Sequence, residues 1–231
     1  MVYITGDIHG SPEPISDLIG EYNPKQDDTI VLLGDVGVNY YGGRRDVLLK
    51  DYLNHFGCTF FCIHGNHENR PQNIPSYKEK EWHGGRVLYE PDFPNILFPH
   101  DGDIFDLEGK KCIVIGGAYS VDKNYRLLHN YHWWNDEQPS DSIKAYVNCQ
   151  LQNNEVDVIF SHTCPYKYIP TECFLPGIDQ STVDHSTEEW LDDIEDKTDY
   201  EAWYIGHWHT NKHVDKIHFL FHDVVFFLKL N

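Results

Sequence analysis

Six short apolar runs recur along the chain, each rich in β-branched and aromatic residues: VYITGD (2–7), TIVLLGD (29–35), TFFCIHGNH (59–67), KCIVIGG (111–117), VDVIFSH (156–162) and AWYIGH (202–207). Continuous apolar runs of this length read as buried strands. Each reaches a small residue, and five of the six then deliver an Asp, Asn or His. Polar residues just past strand ends are where open α/β sheets gather their ligands. Six strand ends on one rim would therefore converge on a single site.

Helical stretches lie between these runs. SPEPISDLIGEY (11–22) spaces Ile15, Leu18 and Ile19 for a helix, with Ser11 and Pro12 as start signals. RRDVLLKDYLNHF (44–56) repeats the pattern with Val47, Leu48, Tyr52 and Leu53. SDSIKAYVNCQLQNN (140–154) does so with Ile143, Tyr146, Val147 and Leu151, and STEEWLDDIED (186–196) with Trp190, Leu191 and Ile194. KIHFLFHDVVFFLKL (216–230) reads as two paired strands turning near His222–Asp223. The Pro- and Gly-rich region 71–110 predicts short antiparallel strands. Helices alternate with strands early and strands cluster late, which predicts an α/β sandwich of sheets with helices outside. No boundary divides the chain, so residues 1–231 read as a single domain.

The net charge of −19 argues against a protein that lives by gripping nucleic-acid backbone. It does not forbid a phosphate substrate if metal ions supply positive charge locally. Six scattered cysteines without a Cys-x-x-Cys pair read as reduced, buried thiols of a cytoplasmic protein. The strand that begins at the second residue leaves no room for a signal peptide, and no apolar run is long enough for a membrane span.

The candidate ligands, in order, are Asp7-Ile8-His9, Gly34-Asp35, Gly65-Asn66-His67-Glu68, Ser161-His162 and Gly206-His207-Trp208-His209. A lone His beside a strand is usually a satisfied or exposed histidine, and Gly-Asp after a strand is usually a turn. Five such fragments, each ending a strand, are a different matter. Carboxylates, imidazoles and one amide without a thiolate suit Mn, Fe, Zn, Co or Ni, and argue against a structural Cys-type zinc.

GDIHG (6–10), GDVG (34–37), GNHE (65–68), SHTCP (161–165) and GHWH (206–209) together resemble the signature of the calcineurin-like metallophosphoesterases, present in full and in order across nearly the whole chain. The resemblance implies a four-layer αββα sandwich of two mixed β-sheets flanked by helices. It also implies two divalent or trivalent metal ions, with Mn the first expectation. Asp7, His9 and His209 would hold one ion, Asn66, His162 and His207 the other, and Asp35 would bridge both. His67 would protonate the leaving oxygen. Two cations about 3.5–4 Å apart can clamp a phosphoryl group and activate a shared water for in-line attack. If the chain stays extended, His207 and His209 share a face, Trp208 points away, and their Cα atoms are about 6.6–6.8 Å apart. That spacing would put one imidazole on each ion.

The sequence also departs from relatives within that superfamily. Val38 and Asn39 stand where protein Ser/Thr phosphatases carry Asp and Arg, and Val38 stands where purple acid phosphatases carry a Tyr ligand. Asn39, Arg70, Tyr119 and Arg126 are candidate substrate contacts. Glu68 is either a support for the site or a surface carboxylate. The stretch 118–140, with His129, Trp133 and Trp134, is a candidate lid or substrate wall, the alternative being that the tryptophans pack the following helix. The expected function is hydrolysis of small phosphate mono- or diesters. The alternatives are a nuclease or nucleotide phosphodiesterase of the same fold, a phosphoprotein phosphatase, and a non-catalytic scaffold.

Overall fold

A computed structural model describes residues 1–227. The strands are β1 (Val2–Thr5), β2 (Thr29–Leu32), β3 (Thr59–Cys62), β4 (Lys78–Trp82), β5 (Gly85–Glu90), β6 (Phe93–Pro99), β7 (Ile104–Leu107), β8 (Lys110–Ile115), β9 (Val158–Ser161), β10 (Ala202–Ile205), β11 (Lys212–Val214), β12 (Ile217–Phe219) and β13 (Val225–Phe226). The helices are α1 (Glu13–Tyr22), α2 (Arg44–His55), α3 (Lys123–Leu128), α4 (Asp141–Asn153) and α5 (Ser186–Glu195).

Among the described residues these strands form two sheets, ordered β13-β1-β2-β3-β6-β5-β4 and β11-β12-β10-β9-β8-β7. Both are mixed: β1, β2, β3 and β6 run parallel in one, β8, β9, β10 and β12 in the other, with antiparallel strands at the edges.

Strand side chains alternate between two faces, so each apolar run feeds two cores. Ile4, Val31, Phe61, Val114, Phe160 and Tyr204 meet between the sheets. Tyr3, Ile30, Phe60 and Cys62 pack outward against Ile15 and Leu18 of α1 and Leu53 of α2. Ile113, Ile159, Trp203 and Ile205 pack outward against Val147 of α4 and Leu191 and Ile194 of α5. The layers are αββα, as the resemblance implies.

Three local expectations need correction. In α2 the buried stripe is Leu49 and Leu53, while Val47 and Leu48 are exposed. Polar neighbours set this register. Asp46 accepts the backbone N–H groups of Tyr41 and Gly42, and Lys50 is buried in a 2.5 Å ion pair with Glu90. The C-terminal stretch is not a hairpin: β12 pairs with β10 and β11, whereas β13 pairs antiparallel with β1 in the other sheet. The residues around His222–Asp223 cross between sheets, and residues 228–230 lie outside the described part. Four cysteines are buried, but Cys149 is exposed and Cys173 half-buried.

Candidate metal centre

The loops after β1, β2, β3, β9 and β10 interlock across the two sheets. His162 Nδ1 lies 2.7 Å from the Leu33 carbonyl, joining the end of β9 to the end of β2. The His207 backbone N–H donates to both Asp7 carboxylate oxygens at 2.9 and 3.1 Å, joining the end of β10 to the end of β1. The His67 N–H donates to Asp35 Oδ1 at 2.7 Å. Such closeness requires glycine before the functional residue. A Cβ on Gly65 would collide with the Asp35 carboxylate, and one on Gly206 with that of Asp7.

Among the described residues three groups of possible ligand atoms result, each with all atoms within 4.8 Å of one another: Asp7, His9 and His209; His9, Asp35 and His67; and Asp35, His162 and His207. Asn66 Oδ1 lies 2.8 Å from His162 Nε2, and its Nδ2 donates to Ser120 Oγ at 2.9 Å, which turns the amide oxygen toward the imidazole. Asp35 is 3.6 Å from His162 and 3.8 Å from His9, so it sits between the first and third groups. All seven residues proposed as ligands are therefore brought to one place.

His9, Asp35, His207 and His209 adopt left-handed backbone conformations, with φ of 46°, 47°, 63° and 48°. Non-glycine residues rarely occupy this region, and strain of this kind gathers at functional sites. It also changes the reading of the Gly206–His209 stretch. β10 ends at Ile205, and the chain is not extended at His207 or His209. Strand geometry therefore does not separate the two imidazoles, but the turn still sends His207 to the Asp35 group and His209 to the Asp7 group. Trp208 is half-buried between α5's sheet face and the site.

Burial disfavours charge on Asp35, yet the surrounding imidazoles of His162, His67 and His9 outweigh it and hold the carboxyl well below its usual range. Burial likewise opposes charge on His162, but the Asp35 carboxylate raises it to about 9. This is a site that demands cationic charge beside Asp35. Carboxylate, imidazole and amide donors without thiolate fit first-row divalent metals.

His67 lines the cavity over these groups, edge-on to His9 at 5.4 Å between ring centroids. Burial lowers its pKa; Asp35 and Asp122 oppose that, with Asp122 Oδ1 3.9 Å from His67 Nε2. Asp122 was not anticipated as a neighbour of His67, because it comes from the loop after β8 rather than from the Asp35 motif. Glu68 is no surface carboxylate. It is buried and accepts the N–H groups of Gly37 and Gly65, and burial pushes it up to about 8.

The candidate substrate contacts divide. Tyr119 lines the cavity. Arg70 does not: its guanidinium bonds Asp101 at 2.7 Å and the Asp136 carbonyl at 2.8 Å, anchoring the loop after β8, since Asp101 also accepts the Gly116 N–H. Asn39 accepts from the Tyr77 hydroxyl and lines a separate recess with Tyr40 and Trp134. Arg126 is 2% exposed and one link from the candidate ligand Asn66, donating to Ser120 Oγ at 3.0 Å, with Nε and Nη2 unpartnered among the described residues. Of the remaining 118–140 residues, Trp133 donates to Glu137, Trp134 packs with Tyr40 and His132, and His129 packs on Tyr125. Val121 and Asp122 after β8 and Trp208 add to the lining, and the rest comes from Cys173–His185 and from Glu188 of α5.

The sequence profile of the calcineurin-like phosphoesterases matches residues 1–211. No curated protein sequence matches the chain. One solved structure superposes with a TM-score of 0.54 at 15% identity, covering 95% of this chain and 88% of its own. The phosphopantetheinyl hydrolase of Mycobacterium tuberculosis superposes with a TM-score of 0.52 at 14% identity, covering 94% of this chain and 86% of its own. At these identities the likeness is one of fold. With the profile spanning most of the sequence, the chain belongs to the calcineurin-like phosphoesterase family.

Proposed function

We propose that this protein is a two-metal phosphoesterase that hydrolyses small phosphate mono- or diesters. The observation that supports the reading is that the Asp7/His9/His209 and Asp35/His162/His207 groups lie side by side beneath one cavity, which His9, Asp35, His67, His207 and His209 line. Asp7, His9 and His209 would hold one ion and Asn66, His162 and His207 the other, with Asp35 common to both. Bound there, the ions would neutralise phosphoryl charge and lower the pKa of water so that it can attack phosphorus. His67 delivers a proton to the departing oxygen, a role that helps most when the leaving alcohol is poor. Asp122 keeps that imidazole more basic than burial alone would leave it. Glu68 and Ser120 hold the loops and the Asn66 amide in place.

A chromogenic aryl phosphate with Mn²⁺ provides the test. Wild-type protein should turn it over, chelation should stop it, and Asp35→Asn should lose at least about a hundredfold in kcat; His67→Ala should lose as much on an alkyl phosphate, whose leaving group needs the proton, and less on the aryl ester. Near-wild-type rates in both variants would remove the mechanism.

A further inference from the structure

The cavity over the ligand groups has a volume of 480 Å³, within the range of small-molecule sites. Its lining has two chemistries. His9, Asp35, Asn66, His67, His207 and His209 bring the catalytic groups. Phe174, Leu175, Ile178 and Val183, from the segment between β9 and α5, join Trp208 and Val121 as an apolar lining. Among the described residues no lysine or arginine lines it, and Asp122, Asp184 and Glu188 add acidic groups.

Glu188, in the first turn of α5, is 3% exposed. Its Oε1 accepts from Thr163 Oγ1 at 2.8 Å, and its Oε2 has no partner among the described residues. A buried polar atom left unpartnered is costly and calls for an explanation such as a missing ligand contact. Burial also pushes this carboxyl up to about 7, so it can offer a proton as well as accept one.

We propose that this apolar lining is the leaving-group subsite, taking an uncharged, largely apolar alcohol that carries one amide or hydroxyl for Glu188. The assignment rests on the phosphoesterase reading above. The ligand groups and their ions would engage the phosphoryl group, leaving only apolar and acidic surface for the rest of the substrate. A second anionic group there would meet Asp122 and Asp184 without a cationic side chain to answer it, which selects against diphosphates and acidic phosphopeptides.

The test uses the metal-loaded full chain with ethyl, butyl and hexyl phosphate and a hexyl diphosphate. The subsite predicts that kcat/KM rises with chain length, by up to about fourfold per methylene, and falls for the diphosphate. Ile178→Asp should flatten the series, bringing kcat/KM for hexyl phosphate down to about that for ethyl phosphate. Leu175→Asp should act the same way, and its side chain is 56% exposed, so folding is not at stake. A second arm needs no catalysis: 1-hexanol should bind at least about tenfold more tightly than ethanol by tryptophan fluorescence, and Ile178→Asp should abolish the difference. Equal kcat/KM across the series with no binding preference would overturn the subsite and leave the phosphoesterase reading intact. Failure to hydrolyse any ester would overturn that reading, while the alcohol series would still decide the subsite.

Discussion

His9 Nε2 lies 2.8 Å from His209 Nε2, although 200 residues separate them in the chain. Their rings meet nearly edge-on, and the Asp7 carboxylate lies 3.4 Å from His209 and 3.8 Å from His9. Two imidazole nitrogens aimed at each other beside a buried carboxylate make a donor set that one cation would join. His207, only two residues from His209, faces His162 instead, at 4.9 Å between ring centroids. The first prediction follows from this division. His209→Ala and His207→Ala should each lower bound Mn²⁺ from two ions per chain to about one, whereas Asp35→Asn should weaken both. Metal analysis after dialysis reads this, and full loss of metal in either histidine variant would contradict it.

The Asn66 amide is held by a relay. Ser120 Oγ accepts from Asn66 Nδ2 and from Arg126 Nη1, which leaves Asn66 Oδ1 free to face the His162 side. Supporting groups of this kind typically set metal affinity by about 10–100-fold. Arg126→Met and Ser120→Ala should therefore weaken one of two calorimetric Mn²⁺ transitions by about tenfold and spare the other. Unchanged affinity for both ions would remove the relay.

Asp122 stands 3.9 Å from His67 and raises its proton affinity. Asp122→Asn should make His67 a weaker reservoir of protons. The rate on an alkyl phosphate should drop by about tenfold, while a nitrophenyl ester, whose leaving group needs no proton, should lose less. Equal losses on both esters would show that Asp122 acts in some other way.

The fold should weaken as pH rises through the titration of Glu188. Its carboxyl ionises near 4.5 when unfolded and near 7 when buried in the folded chain. Below pH 4.5 both states are protonated and the group is neutral to stability. Between 4.5 and 7 the unfolded state loses its proton first, so stability falls, reaching a deficit of about 3 kcal/mol above pH 7. Glu188→Gln should raise the Tm at pH 8 by about 6–12 °C and give little gain near pH 4. An identical gain at both pH values would contradict this origin.

The candidate ligand fragments were legible because each sits just past an apolar strand, and the strand ends of the two sheets meet at one place. That rule marked the fragments holding Asp7, Asp35, Asn66 and His162, and the family resemblance singled out which residue of each would hold metal. The conformation of His207 and His209 was not legible, since a left-handed turn leaves no mark in an H-x-H spacing. Arg70 and Arg126 look alike in sequence as phosphate contacts. Their difference lies in tertiary partners, Asp101 for one and Ser120 for the other. The apolar lining from Phe174 to Val183 escaped notice because it is irregular chain, without the periodicity that marks a helix or strand. The same holds for α2, where Asp46 and Lys50 are buried through partners distant from the helix pattern.

The most direct measurement is an anomalous-scattering map of crystals grown with Mn²⁺. The account predicts two peaks about 3.5–4 Å apart, with Asp35 touching both, His209 on one and His207 on the other. A single peak, or both histidines on one ion, would contradict it.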